Sequence, residues 1–363
     1  MDDRIATLRG LMKQASLDSL LITDPKHVYY LTGFASDPHE RFLGLFIPDG
    51  DEPFILLPAL DEDKARSVST VERIETHTDT DNPYVRLKHY VKGKIGKLGV
   101  EKEHLSVARF EQLSAELDAE SYSDIGSLLN GMRSRKSPDE VQRMIVSIQK
   151  IEEVLRRGLS SVRVGITEID LVAELEYQMK KVGAEKAAFD TMVLSGPNTA
   201  LPHGVPGSRK LQSGELVMFD LGLFYNGYAS DITRTFALGD VDDETANVYH
   251  TVLAANEAAI AATRPGVTFA SIDKAARDVI TEAGYGDRFI HRLGHGLGMD
   301  THEYPSVHGS NETLVESGVL FTVEPGIYIP GHCGVRIEDD VIVTDTGVDV
   351  LSSFPKELTV IGN

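Results

Sequence analysis

One segment of the chain resembles another a hundred residues on, and that constrains its fold more than any other feature. RVGITEIDLVAELEYQMKKVG (163–183) aligns with RPGVTFASIDKAARDVITEAG (264–284) at a constant offset of 101. Arg163, Gly165, Thr167 and Gly183 fall on Arg264, Gly266, Thr268 and Gly284. SGELVMFDLG (213–222) then aligns with SGVLFTVEPG (317–326) at an offset of 104. Two matches in the same order predict a pseudo-twofold unit, each half holding a helix followed by strands.

The alignment sets Asp220 opposite Glu324. Asp231 and Glu338 follow, one per half, on the next strand-like segment. Each half therefore supplies two carboxylates. Four converging acids repel one another unless they are protonated or bound to cations. Cations are the economical answer, and RLGHGLGMDTHEYP (292–305) offers a further ligand, His295, between glycines that leave room around the backbone. An oxygen-rich set with one histidine suits manganese first, then cobalt or zinc. Five such ligands fit two ions about 3.5–4 Å apart, bridged by carboxylates and a hydroxide, which is a centre for metal-assisted hydrolysis. Two more histidines stand by these motifs: His203 in LPHGVP and His302, seven residues after His295. Either could donate a hydrogen bond to a substrate carbonyl or its tetrahedral intermediate.

The first third of the chain reads differently. DSLLITD (18–24), FLGLFIPD (42–49) and EPFILLP (52–58) have strand character, while 58–69 and 108–117 have helical character, an α/β pattern. A helix start follows in KSPDEVQRM (136–144): Ser137 as N-cap, Pro138 at the first helical position and Glu140 closing a capping box. The chain's 363 residues favour two domains. The expected division is 1–124 and 125–363.

A formal charge of −20 argues against nucleic acid as the main partner. No run of eighteen apolar residues suggests a membrane span, the start MDDRIATLRG lacks an apolar signal core, and a lone Cys333 excludes an internal disulfide framework. A cytoplasmic protein is expected.

DLGLFYNGYASDITRT, GHGLGMDTHEYP, EPGIYIPGHCGVRIED and PHG together resemble the motifs of the Xaa-Pro peptidase group of "pita-bread" metallopeptidases. That group includes Xaa-Pro dipeptidase (prolidase), aminopeptidase P and creatinase. The resemblance spans most of the chain and implies an N-terminal creatinase/prolidase-like α/β domain before a pita-bread catalytic domain. It implies Asp220, Asp231, His295, Glu324 and Glu338 as ligands of two divalent ions, with Glu324 also moving protons. It places His203 and His302 at the substrate and Arg336 behind Glu338, which it would orient. It further implies a homodimer in which SDPHERF (36–42), through Asp37, His39, Glu40 and Arg41, closes the partner's pocket. The implied reaction is hydrolysis of the bond before proline in Xaa-Pro dipeptides. Aminopeptidase P activity on longer peptides is the alternative, and a non-catalytic peptide- or protein-binding relative is a third, disfavoured by the intact ligand set. One departure stands out. Some prolidases carry an arginine just after the HE-aromatic-Pro element, where this chain has Ser306. Arg41 or Arg292 would then have to bind a dipeptide's carboxylate.

Overall fold

The computed structural model describes residues 4–362. The chain forms two compact units, Met1–Met132 and Arg133–Asn363. The expected division at 124/125 falls just before the Gly126–Ser134 helix, most of which lies in the first unit.

The first unit is built on strands β1 (Ser19–Ile22), β2 (Gly44–Pro48), β3 (Phe54–Pro58), β4 (Arg73–His77), β5 (Ile95–Val100) and β6 (Ala119–Asp124). They form one mixed sheet in the order β4-β3-β2-β1-β5-β6. β1–β2 and β2–β3 pair antiparallel, the other neighbours parallel. Strands β1 to β3 are the apolar runs expected from the sequence. The predicted helices also form, as Glu62–Val68 after a short 3-10 turn and as Val107–Glu116.

The second unit opens on the helix Pro138–Leu159. Ser137 caps it, and Glu140 returns the bond to the Ser137 N–H. The internal repeat is visible in the backbone. Thr167 caps Glu168–Lys181, and Thr268 caps Phe269–Glu282. Gly165 and Gly266 lie at φ 88° and 84°, and Gly214 and Gly318 at 87° and 86°, left-handed positions that glycine occupies without strain. Each half then contributes a sheet. The first has the strand order Val360–Ile361, Ile232–Leu238, Glu215–Leu221, Met192–Ser195. The second runs Glu303–Val307, Gly294–Gly296, Leu320–Val323, Asp339–Val343, Val348–Val350. A separate hairpin pairs Gly326–Ile329 with Cys333–Arg336. One apolar cluster, around Leu155, Leu175 and Phe219, packs the first half; another, around Val252, Ile272 and Phe321, packs the second. No helix among the described residues is long and apolar enough to cross a membrane.

Candidate metal centre

The strand ends of the two halves bring the acids together. Asp220 is the penultimate residue of Glu215–Leu221, opposite Thr233 on the neighbouring strand. Asp231 immediately precedes Ile232–Leu238, as Glu338 immediately precedes Asp339–Val343. Glu324 follows Leu320–Val323. His295 is the middle residue of Gly294–Gly296. Both flanking glycines are required by close backbone approach. A Cβ on Gly294 would lie 1.8 Å from the Thr322 carbonyl oxygen, and one on Gly296 2.2 Å from that of Tyr304.

Ligand atoms of Asp231, His295 and Glu338 lie within 4.8 Å of one another, and all three residues are buried. His295 Nδ1 bonds the Gly296 carbonyl at 3.1 Å. A carbonyl only accepts, so Nδ1 carries a proton, and in the neutral ring Nε2 presents a lone pair. That lone pair points at Glu324 Oε1, 3.3 Å away, and Asp231 Oδ2, 3.8 Å away. Two carboxylate oxygens facing the lone pair of a neutral ring need a proton or a cation between them.

The carboxylates tell the same story. Away from the strand ends, a buried acid of this unit such as Glu152 is well supplied with donors: it accepts from the Ser353 hydroxyl and the Ser353 and Phe354 N–H groups. At the centre, Asp231 Oδ1 and Glu338 Oε1 are buried and have no hydrogen-bond partner among the described residues. Such orphans are costly and rare. Burial, then repulsion from neighbouring acids, pushes Asp231 and Glu338 well above the usual carboxylate range; burial raises Asp220 less. Glu324 goes the other way. Burial pushes it up, but with no ion present a protonated His295, donating from Nε2, together with the charges of His291 and Arg336 outweighs it, holding the acid at about 2. The donor set, hard oxygens plus one imidazole with orphaned atoms turned inward, fits divalent ions.

Residues 142–345 match the profile of metallopeptidase family M24, and residues 4–135 match the creatinase/prolidase N-terminal domain. The chain belongs to metallopeptidase family M24. It is 40% identical over 353 residues to an uncharacterized peptidase of Staphylococcus epidermidis, covering 97% of this chain and 99% of that protein. Among solved structures it resembles the Xaa-Pro dipeptidase from Bacillus anthracis, with a TM-score of 0.93 at 34% identity over 98% of this chain and 99% of that one. It also resembles an X-Pro aminopeptidase from Thermotoga maritima MSB8, with a TM-score of 0.89 at 32% identity over 99% and 100% of the two chains. This M24 peptidase therefore has the expected architecture, a creatinase-like α/β domain followed by a pita-bread domain.

The peptidase departs from the sequence reading at Arg336. That arginine was expected to stand behind Glu338 and orient it. The strand ends at Arg336, and the guanidinium pairs with Asp220 instead. Its Nη1 donates to the Tyr328 hydroxyl at 2.8 Å and its Nε to the Thr233 hydroxyl at 3.2 Å. Thr233 in turn donates to Glu338 Oε2 at 2.7 Å, so Arg336 reaches Glu338 through a threonine. The sequence reading also missed His291, whose Nε2 meets the Tyr328 hydroxyl at 2.9 Å, and Asp340, fully buried and bonded to the Asp231 N–H. Asp340 follows Glu338 at the strand period, which was the available signal.

Beside the centre, the His302 ring centroid lies 4.0 Å from that of His295. Burial lowers His302 to about 4, assisted by His295, Arg292 and His203, so its imidazole is neutral at neutral pH. Arg292 Nη1 donates to Ser306 Oγ at 3.2 Å, and no carboxylate among the described residues lies within ion-pair distance of this guanidinium. His203 is exposed. Arg41, in the first unit, is bidentate to Asp79 at 2.7 and 3.2 Å, while Asp37 and His39 stand largely exposed beside it in sequence.

Proposed function

We propose that this peptidase hydrolyses the bond before proline in Xaa-Pro dipeptides, using two divalent ions, manganese first, held by Asp220, Asp231, His295, Glu324 and Glu338. Ions bound there would activate water and polarise the scissile carbonyl. The remaining work falls to the chain. Glu324, ionised and beside His295, can take a proton from water and return it to the leaving nitrogen. That nitrogen belongs to a tertiary amide, so the site gains nothing from an N–H handle on the substrate. Neutral His302, with His203, can donate to the carbonyl as negative charge builds on it.

The observation that favours a dipeptide is Arg292. Among the described residues it is a cation without an acidic partner, in a chain of net charge −20, and it bonds Ser306, where some prolidases have their arginine. A dipeptide's terminal carboxylate would satisfy it, bidentately. The likeness to an X-Pro aminopeptidase keeps the longer-substrate reading as the alternative. The same proposal takes the enzyme as a cytoplasmic homodimer, which sedimentation of the metal-loaded protein tests.

The deciding experiment strips the enzyme with chelator, restores manganese and offers Leu-Pro beside a Leu-Pro-Xaa tripeptide. Cleavage of the dipeptide, with KM raised about 10- to 100-fold in Arg292→Ala, supports the reading. Faster cleavage of the tripeptide, unaffected by that substitution, moves the assignment to an aminopeptidase.

A further inference from the structure

The internal repeat makes its own exceptions visible, and the plainest is at the first helical residue after each threonine cap. The backbones there agree. Glu168 N–H bonds Arg209 O at 3.1 Å, and Phe269 N–H bonds Thr313 O at 3.2 Å. Ile169 N–H bonds Gly207 O at 3.1 Å, and Ala270 N–H bonds Asn311 O at 2.8 Å. The side chains do not agree. Phe269 packs into the core, its ring 5.7 Å from Phe321. Its counterpart is a carboxylate, Glu168, with no exposed surface.

Glu168 is occupied by one segment. Its Oε1 accepts from Ser195 N–H at 2.8 Å, the Ser195 hydroxyl at 2.9 Å and Asn198 Nδ2 at 3.0 Å. Its Oε2 accepts from Gly207 N–H at 3.1 Å and again from Asn198 at 3.3 Å. Ser195 and Gly207 are the two feet of the excursion that carries His203. The turn between them closes on local bonds, Leu201 N–H to Asn198 O and Gly204 N–H to Leu201 O, both at 3.0 Å. A carboxylate suits this point because every partner donates to it. A glutamine would turn an NH2 group towards one of those donors and leave it unsatisfied.

We propose that Glu168 is a positioning residue for substrate: it clamps both feet of the 195–207 excursion and so fixes where the His203 imidazole stands. The proposal rests on His203 facing the substrate, and its test separates the two ideas. Glu168→Gln and Asn198→Ala are made alone and with His203→Ala, loaded with manganese and assayed on Leu-Pro, with metal content measured. Glu168→Gln should lower kcat/KM about 10- to 100-fold at unchanged metal content. It should have almost no effect once His203 is gone. Asn198→Ala should show a smaller loss with the same dependence, and it decides the matter if Glu168→Gln does not fold. In limited proteolysis, the 201–207 segment of Glu168→Gln should be cut sooner than that of His203→Ala. Equal losses with and without His203, or full activity in Glu168→Gln, would overturn the proposal. Full activity in His203→Ala alone would remove its premise instead.

Discussion

Glu338 shows how much a single residue can be asked to do. It is buried, one oxygen is held by Thr233, and the other has no partner among the described residues. Without an ion it weakens the fold, and an ion held there as proposed would reverse that. Glu338→Gln should lower activity at least 100-fold or so. The same substitution should raise the melting temperature of the chelator-treated protein by a few degrees, since it removes a buried, repelled charge at a cost of about 1–3 kcal/mol. A metal-free variant that melts lower than its metal-free parent would contradict this account. Cys333 is the opposite sort of residue. It is buried, and burial pushes its thiol up to about 11. Iodoacetamide at pH 8 should label the folded protein far more slowly than the urea-unfolded chain, as mass spectrometry would record.

Among elements, the strand Gly294–Gly296 is the most tightly built part of the site, because a side chain at either end would strike a neighbouring carbonyl oxygen. Gly296→Ala should therefore cost several kcal/mol or displace His295 enough to reduce metal affinity about 10- to 100-fold, measurable by calorimetric titration. Elements of this kind explain what could be read in advance. Ser137, Pro138 and Glu140 announce a helix locally, and the offset pairs Asp220–Glu324 and Thr167–Thr268 announce the two halves, because a cap is written in neighbouring letters and a repeat in matching ones. The support for the ligands is not. Arg336 bonds Asp220 from 116 positions away, and Thr233 bonds Glu338 from 105. Spacing alone pointed Arg336 at the nearer acid, and only the end of its strand turned it to the farther one. His291 and Tyr328 carry no pattern until the hairpin and the 291 loop meet.

For the whole molecule, ions held at the proposed centre would compete with protons for the same carboxylates. Asp231 and Glu338 have folded-state pKa values raised by burial and by repulsion from neighbouring acids, so at these two residues the metal-free fold holds protons that the unfolded chain gives up. A raised carboxyl pKa contributes stability that is present at low pH and lost as pH rises through it. Metal works in the other direction, since its ligands must give up their protons. The gap in melting temperature between manganese-loaded and chelator-treated protein should therefore narrow as pH falls from about 7.5 to 5.5. A gap that widened would mean that other groups govern the linkage. The layout of the site has a further consequence, for biosynthesis. Asp220 leaves the ribosome long before Glu338, and Ser352 to Lys356, which brace Asp340, Glu152 and Asp339 from behind, leave later still. An ion cannot template the first half as it emerges. On the proposed ligand set, metallation would be the closing event of folding, and a nascent chain stalled short of Glu338 should emerge without its full complement of ions however much manganese surrounds it.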